Sequence, residues 1–285
     1  MPARTLPTSP GALRRPPARR IGVDSYAYHR LLGDTRPGEV PAARPFGRGS
    51  LDVVAEVRSH GLDFALLETS LLGAALEFDP DGYLAEAGAV ALGLSWGAPD
   101  GFALGDRPGA LHDLIAWLPH AAALGLPVMR IVAGGPTHRG RPFAPVVGLL
   151  REACDAARGF GLRLALENHG DLSGRQVELL VAQVGDDLRV CFDTANALRV
   201  GDDVEAAARR LAPLVEIVHV KDCAARWEDA VAGPVSVAPG EGVIPIDAVL
   251  AACPAALACV ELGQLPEGAD EHLLVGAYVE YLRAR

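Results

Sequence analysis

Past residue 20 the chain alternates between short apolar runs and longer amphipathic stretches. The apolar runs are Ile21–Ser25, Leu62–Glu68, Ala89–Ser95, Val128–Val132, Leu162–Glu167, Leu188–Asp193, Val215–Val220 and Leu257–Leu262. Runs of this length, apolar on both faces, read as parallel strands covered on both sides. The stretches between them carry helical spacing, as in Leu51-Val54-Val57, Leu111-Leu114-Ile115-Leu118 and Val177-Leu180-Val181-Val184. Gly61, Gly125 and Gly161 follow three such helices, where a left-handed cap is expected. Repeated strand–helix units make either an open doubly wound sheet or a closed barrel. The turn after the first strand reads Asp24-Ser25-Tyr26-Ala27-Tyr28-His29, without the G-x-G-x-x-G that a doubly wound dinucleotide fold usually carries there. The expectation is an α/β fold: a single (β/α)8 TIM barrel over residues 21–285, with long loops at Tyr28–Ser50 and Asp222–Ile244.

Composition supports one well-packed domain and narrows its partners. Half of the 285 residues are apolar and 22% are charged, which excludes a disordered chain. A net charge of −10 is unsuited to a nucleic-acid backbone, and no run is long and apolar enough to span a membrane. The charge is uneven. Residues 1–20 hold Arg4, Arg14, Arg15, Arg19 and Arg20, five prolines and no acid. They read as a disordered Arg/Pro-rich tail that lacks the apolar segment of a secretory signal. The barrel region is left with 21 basic and 36 acidic residues, a net of −15. Cys154, Cys191, Cys223, Cys253 and Cys259 form no C-x-x-C pair, so buried free thiols in a reducing cytoplasm are expected. Of the 26 basic residues 25 are Arg; the single Lys, Lys221, stands at an apolar strand end.

In a TIM barrel the active site forms where strand C-termini converge, so a polar residue ending an apolar strand points into it. Those ends are Glu68, Trp96 just past strand three, Arg130, Glu167, Asp193, His219 and Glu261. Glu167, Asp193 and His219 recur at 26-residue intervals, one strand–helix unit each, and Glu261 adds a fourth on the last strand. Four uncompensated polar groups inside one barrel mouth are costly without a cation. Three carboxylates and an imidazole suit one hard or borderline divalent ion, Mn²⁺ first, with Mg²⁺ and Co²⁺ close and Zn²⁺ less favoured.

The order and spacing of Glu167-Asn168-His169, Asp193-Thr194-Ala195-Asn196, His219-Val220-Lys221-Asp222, Pro239-Gly240-Glu241-Gly242 and Val260-Glu261-Leu262 resemble the sugar phosphate isomerase/epimerase family with its xylose-isomerase-like barrel. The resemblance spans residues 21–285. It implies a metal site at Glu167, Asp193, His219 and Glu261, with Glu167 and Glu261 doubling as general acid/bases on opposite sides of a bound ketose. The activity it implies is a divalent-metal-dependent isomerase or epimerase of a small sugar or keto-polyol, working by proton transfer through a metal-bound enediolate. A lyase is the alternative, because inosose and dehydroshikimate dehydratases share the scaffold and β-elimination from a keto-sugar begins with the same enolisation. An abasic-site endonuclease of the related type uses about three zinc ions and needs several more His ligands. The chain has eight His, and its acidic body repels phosphodiester. Family members are often dimers or tetramers, so a homo-oligomer is an expectation by analogy.

Further substrate contacts are expected around that set. Arg130 would meet a substrate oxygen or pair with Glu68 or Glu167. His169 would hydrogen-bond substrate or orient Glu167. Alternation puts Lys221 on the same face as His219, while Asp222 caps or orients. Tyr26, Tyr28, Trp96 and Trp227 are candidates to wall a sugar ring. Asn196 stands where many family members carry a His, which weakens a two-metal reading. The amides of Gly240-Glu241-Gly242 either bind an anion or form an ordinary turn.

Overall fold

The structure, a computed structural model, describes residues 19–36, 38–224 and 234–285. Most of the 1–20 tail and Trp227 lie outside the described residues. Eight parallel strands close in sequence order into a barrel: β1 (Ile21–Asp24), β2 (Phe64–Glu68), β3 (Ala91–Trp96), β4 (Val128–Val132), β5 (Arg163–Glu167), β6 (Leu188–Asp193), β7 (Val215–Val220) and β8 (Leu257–Val260). Around them run α1 (Ser50–Ser59), α2 (Pro80–Ala87), α3 (Ala110–Leu124), α4 (Val146–Gly159), α5 (Gly174–Val184), the short α6 (Thr194–Arg199), α7 (Val204–Leu211), α8 (Ile246–Ala252) and α9 (Glu271–Arg283). The expected (β/α)8 architecture is the one observed.

Strand limits differ from the apolar runs by one or two residues, at three starts and three ends. Leu62 and Leu162 belong to helix caps, their amides bonding back to Val57 O (3.2 Å) and Ala157 O (3.0 Å). Gly61 and Gly161 adopt φ of +61° and +71° to allow it, as Gly125 does at +91° after α3.

Two apolar layers flank the strands. Outward-facing residues such as Leu67, Leu94, Ile131 and Leu166 pack beneath the helices, while Phe64, Leu66, Leu126, Val128, Ala165, Cys191, Ile217 and Cys259 fill the barrel interior. Gly22 is required here by contact: a Cβ on it would lie 2.4 Å from Phe64 O and 2.6 Å from the Phe64 ring. The interior plug positions the site. Climbing each strand by two residues leads from plug to polar rim: Leu66 to Glu68, Ala165 to Glu167, Cys191 to Asp193, Ile217 to His219 and Cys259 to Glu261. All five rim residues are buried. The five cysteines are free and buried, as expected. No helix among the described residues is long and apolar enough to cross a membrane.

Candidate metal centre and its cavity

Asp193 ends β6 and caps α6: its Oδ1 accepts from the Asn196 amide at 2.7 Å, which leaves Oδ2 facing the barrel axis. Asn168 brackets the same residue, its Oδ1 accepting from Asp193 N (2.7 Å) and its Nδ2 donating to Asp193 O (2.9 Å). His219 Nδ1 lies 3.7 Å from Glu167 Oε2 and 3.9 Å from Asp193 Oδ2, and touches Glu261 Oε2. One donor atom from each of Glu167, Asp193, His219 and Glu261 lies within 4.8 Å of all the others.

These residues fit a divalent cation. His219 Nδ1, Asp193 Oδ2 and Glu261 Oε2 are buried and crowd one point, where Asp193 Oδ2 is met by the Lys221 ammonium and Glu261 Oε2 by the His219 ring; a shared cation would offset the remaining negative charge of the three converging carboxylates. Lys221, the single lysine, brings the one ammonium to this floor: Nζ donates to Glu261 Oε1 at 2.9 Å and lies 2.7 Å from Asp193 Oδ2. Although burial works against it, Lys221 together with His219 holds the Glu261 carboxyl well below the usual range.

Arg130, in the middle of β4 and not at its end, forms the ion pairs that were one of its two expected roles. Its Nη1 donates to Glu68 Oε1 at 3.0 Å and its Nε to Glu167 Oε2, all three side chains being buried. Burial, reinforced by the carboxylates of Asp24, Glu261 and Glu167, pushes the Glu68 carboxyl up to about 8 against the pull of Arg130. Asn196, not His169, orients Glu167, its Nδ2 donating to Glu167 Oε1 at 3.0 Å. Burial, with Arg130 adding to it, pushes the His169 imidazole down to about 3, so the ring is neutral at pH 7; its Nδ1 has no partner.

Above the floor opens a cavity of about 380 Å³. Tyr26, Glu68, Arg130, His169, Asn196 and Lys221, all expected at the site, line it together with Glu261. Trp96 does not, and this corrects its placement. One position past the inward Ser95, its indole falls on the outer face, packs on Phe102 (5.0 Å between centroids) and donates to Asp113 of α3 at 3.1 Å. Tyr28 is likewise buried away from the cavity, against Phe46 and His272. The Gly240 and Gly242 amides do bind an anion, but an internal one. Asp222 accepts from Cys223, Gly240, Gly242 and Ile244 at 2.8–3.0 Å, which fastens the ends of the loop after β7 to the barrel. Asp222→Asn turns one acceptor oxygen into a donor facing backbone N–H groups. It is expected to lower unfolding free energy by about 3 kcal/mol in urea titrations; a loss below about 1 kcal/mol would mean the loop holds without this clasp.

Sequence reasoning passed over Asp24 and Arg36. Asp24 ends β1 as Glu167 ends β5, and that criterion would have found it. Its Oδ2 accepts from Ser95 Oγ at 2.6 Å and lies 3.9 Å from His219 Nε2. Arg36 lines the cavity from the loop after β1, where no periodicity marks it.

The chain belongs to the family described as Xylose isomerase-like TIM barrel, whose model matches residues 32–253. Solved structures share the fold. A D-allulose 3-epimerase from Methylomonas sp. in complex with D-allulose superposes with a TM-score of 0.69 at 14% identity, covering 94% of this chain and 98% of that one. A xylose isomerase-like TIM barrel protein from Mycobacterium smegmatis in complex with magnesium gives 0.67 at 16% identity, with 93% and 95% covered. A protein described as a probable 3-DHS dehydratase from Bacillus anthracis gives 0.64 at 12% identity, with 93% and 99% covered. Among curated protein sequences none matches significantly.

Proposed function

We propose that this chain is an enzyme, a divalent-metal-dependent isomerase or epimerase of a small ketose or keto-polyol. The observation that carries the reading is the convergence of donor atoms from Glu167, Asp193, His219 and Glu261 on one buried point at the floor of a sugar-sized cavity. These four residues would hold one ion, Mn²⁺ first by donor set, which when bound supplies Lewis acidity to a carbonyl and its neighbouring hydroxyl.

The chain's own residues then move the proton. Glu167 and Glu261 come from strands on different sides of the barrel, so one carboxylate removes a proton from the carbon beside the carbonyl and the other returns it to the opposite face. Lys221 keeps Glu261 ionised and ready to act as a base, while Arg130 and Asn196 fix the two oxygens of Glu167. The neutral His169 ring lines the cavity, where it can meet a substrate hydroxyl, and Tyr26 supplies an aromatic wall.

The test is proton NMR in D₂O with the Mn²⁺-loaded protein and a panel of ketoses, keto-inositols and dehydroshikimate. Metal-dependent deuterium at the carbon beside the carbonyl, with an epimer or isomer as product, is the expected result. Exchange followed by loss of water makes the protein a lyase. Product formed without deuterium removes the two-base account.

A further inference from the structure

We infer that the opposite mouth of the barrel, at the N-terminal ends of its strands, is a binding site for a multiply charged phosphate, free or carried on a small molecule. The rows that rise from the plug to the metal centre also run downward from it. Two residues below Gly22, Ala165 and Cys191 stand Arg20, Arg163 and Arg189. Three inward rows that end above in Asp24, Glu167 and Asp193 thus begin below in arginine. These arginines line a cavity of about 370 Å³ that is closed on its inner side by Leu126, Val128 and Leu257. Arg163 lies four residues, about 13 Å, below Glu167 with the plug between them, so this cavity is separate from the one above the metal centre.

Charge and geometry in this basin both favour an anion. Among the described residues that line it, Glu216 is the one acid against three guanidinium groups, on a chain whose net charge is −10. Glu216 sits at a break in the β6–β7 register, where Val190 pairs with Val215 but Cys191 with Ile217. Its Oε1 serves two arginines unequally: it accepts from Arg163 Nε at 2.6 Å and lies 3.6 Å from Arg189 Nε. Arg189 Nε is buried and has no hydrogen-bond acceptor among the described residues. Arg20 donates to a backbone oxygen, that of Asp63, at 3.4 Å, and its guanidinium lies 5.8 Å from the centre of the Phe64 ring. The Asp63 carboxylate accepts from Ile21 N and Asp187 from Arg158, and neither residue lines the cavity. Residues 1–20, which lead into β1, contain no acid. A phosphate supplies acceptor oxygens to several guanidinium forks at once, and Pro127, Pro213 and Leu214 offer an apolar side to a carbon skeleton.

The test is calorimetry on the Mg²⁺-loaded full chain at fixed ionic strength, with inorganic phosphate, glycerol 2-phosphate and nitrate as a singly charged control. Phosphate is expected to bind about ten-fold tighter than nitrate. Tighter binding of the ester than of phosphate marks a carried group; equal or weaker binding marks free phosphate. Arg189→Gln and Arg20→Gln are each expected to reduce the preference over nitrate to about three-fold or less. Arg20 is exposed and pairs with no carboxylate, so its replacement spares the fold. Glu216→Gln removes the competing carboxylate and is expected to act in the opposite direction, tightening phosphate about five-fold. Parity of phosphate and nitrate, or no phosphate binding, overturns the assignment. So does a preference that survives either arginine variant, or unchanged or weaker phosphate binding in Glu216→Gln. A preference that disappears when EDTA strips the metal also overturns it, because the phosphate then sits on the metal centre. None of these measurements involves turnover, so the isomerase reading stands or falls separately.

Discussion

Glu261→Gln is expected to lower turnover by about 10³-fold or more, on whichever ketose the wild type enolises, while the protein stays folded. Proton transfer by a positioned carboxylate contributes about 10²–10⁴ by itself, and the same substitution withdraws an anionic donor from the metal centre. The fold is spared because Lys221 Nζ keeps Asp193 Oδ2 at 2.7 Å, and a glutamine oxygen can still accept from it. The readouts are kcat, metal content after dialysis and the far-UV spectrum. A variant that keeps more than about a tenth of wild-type kcat with its metal bound would remove Glu261 from the chemistry.

The fold was legible because a parallel barrel writes itself twice, once in two-sided apolar strands and again in the helical spacing between them. The metal centre was legible for a related reason. Glu167, Asp193, His219 and Glu261 end their strands, and the period-2 alternation that sends Ala165 or Cys191 into the plug sends these into the mouth. That logic reaches one residue at a time along a strand and fails just beyond it. Trp96 is one step out of phase with Ser95, so it belongs to the helix layer although it stands at a strand end. What a side chain pairs with was not legible. Arg130 had a substrate or two carboxylates to choose from, and the closed barrel decided by bringing β2 and β5 within reach of β4. Arg36 carried no signal at all, since its position depends on a Glu39–Leu265 contact across 226 residues of chain.

Arg130→Met is expected to destabilise the metal-free protein by about 3–5 kcal/mol, the usual cost of leaving buried carboxylates without their cation. Glu68 and Glu167, 1% and 0% exposed, would face each other across an apolar side chain of similar length. The loss must depend on pH, and its sign follows from Glu68. A carboxyl raised on folding from 4.5 to about 8 contributes stability that is fully present below 4.5 and lost as pH rises through 8. Arg130 opposes that rise, so removing it raises the folded value further and extends the decline to higher pH. Urea unfolding in EDTA at pH 5 and pH 8 should therefore show the larger loss at pH 8. Adding Glu68→Gln to Arg130→Met removes one of the two stranded acids and should restore at least about 1 kcal/mol at pH 8. Equal losses at both pH values, or no recovery in the double variant, would mean that Arg130 stabilises the barrel by packing alone and that the Glu68–Arg130–Glu167 chain is not an electrostatic unit.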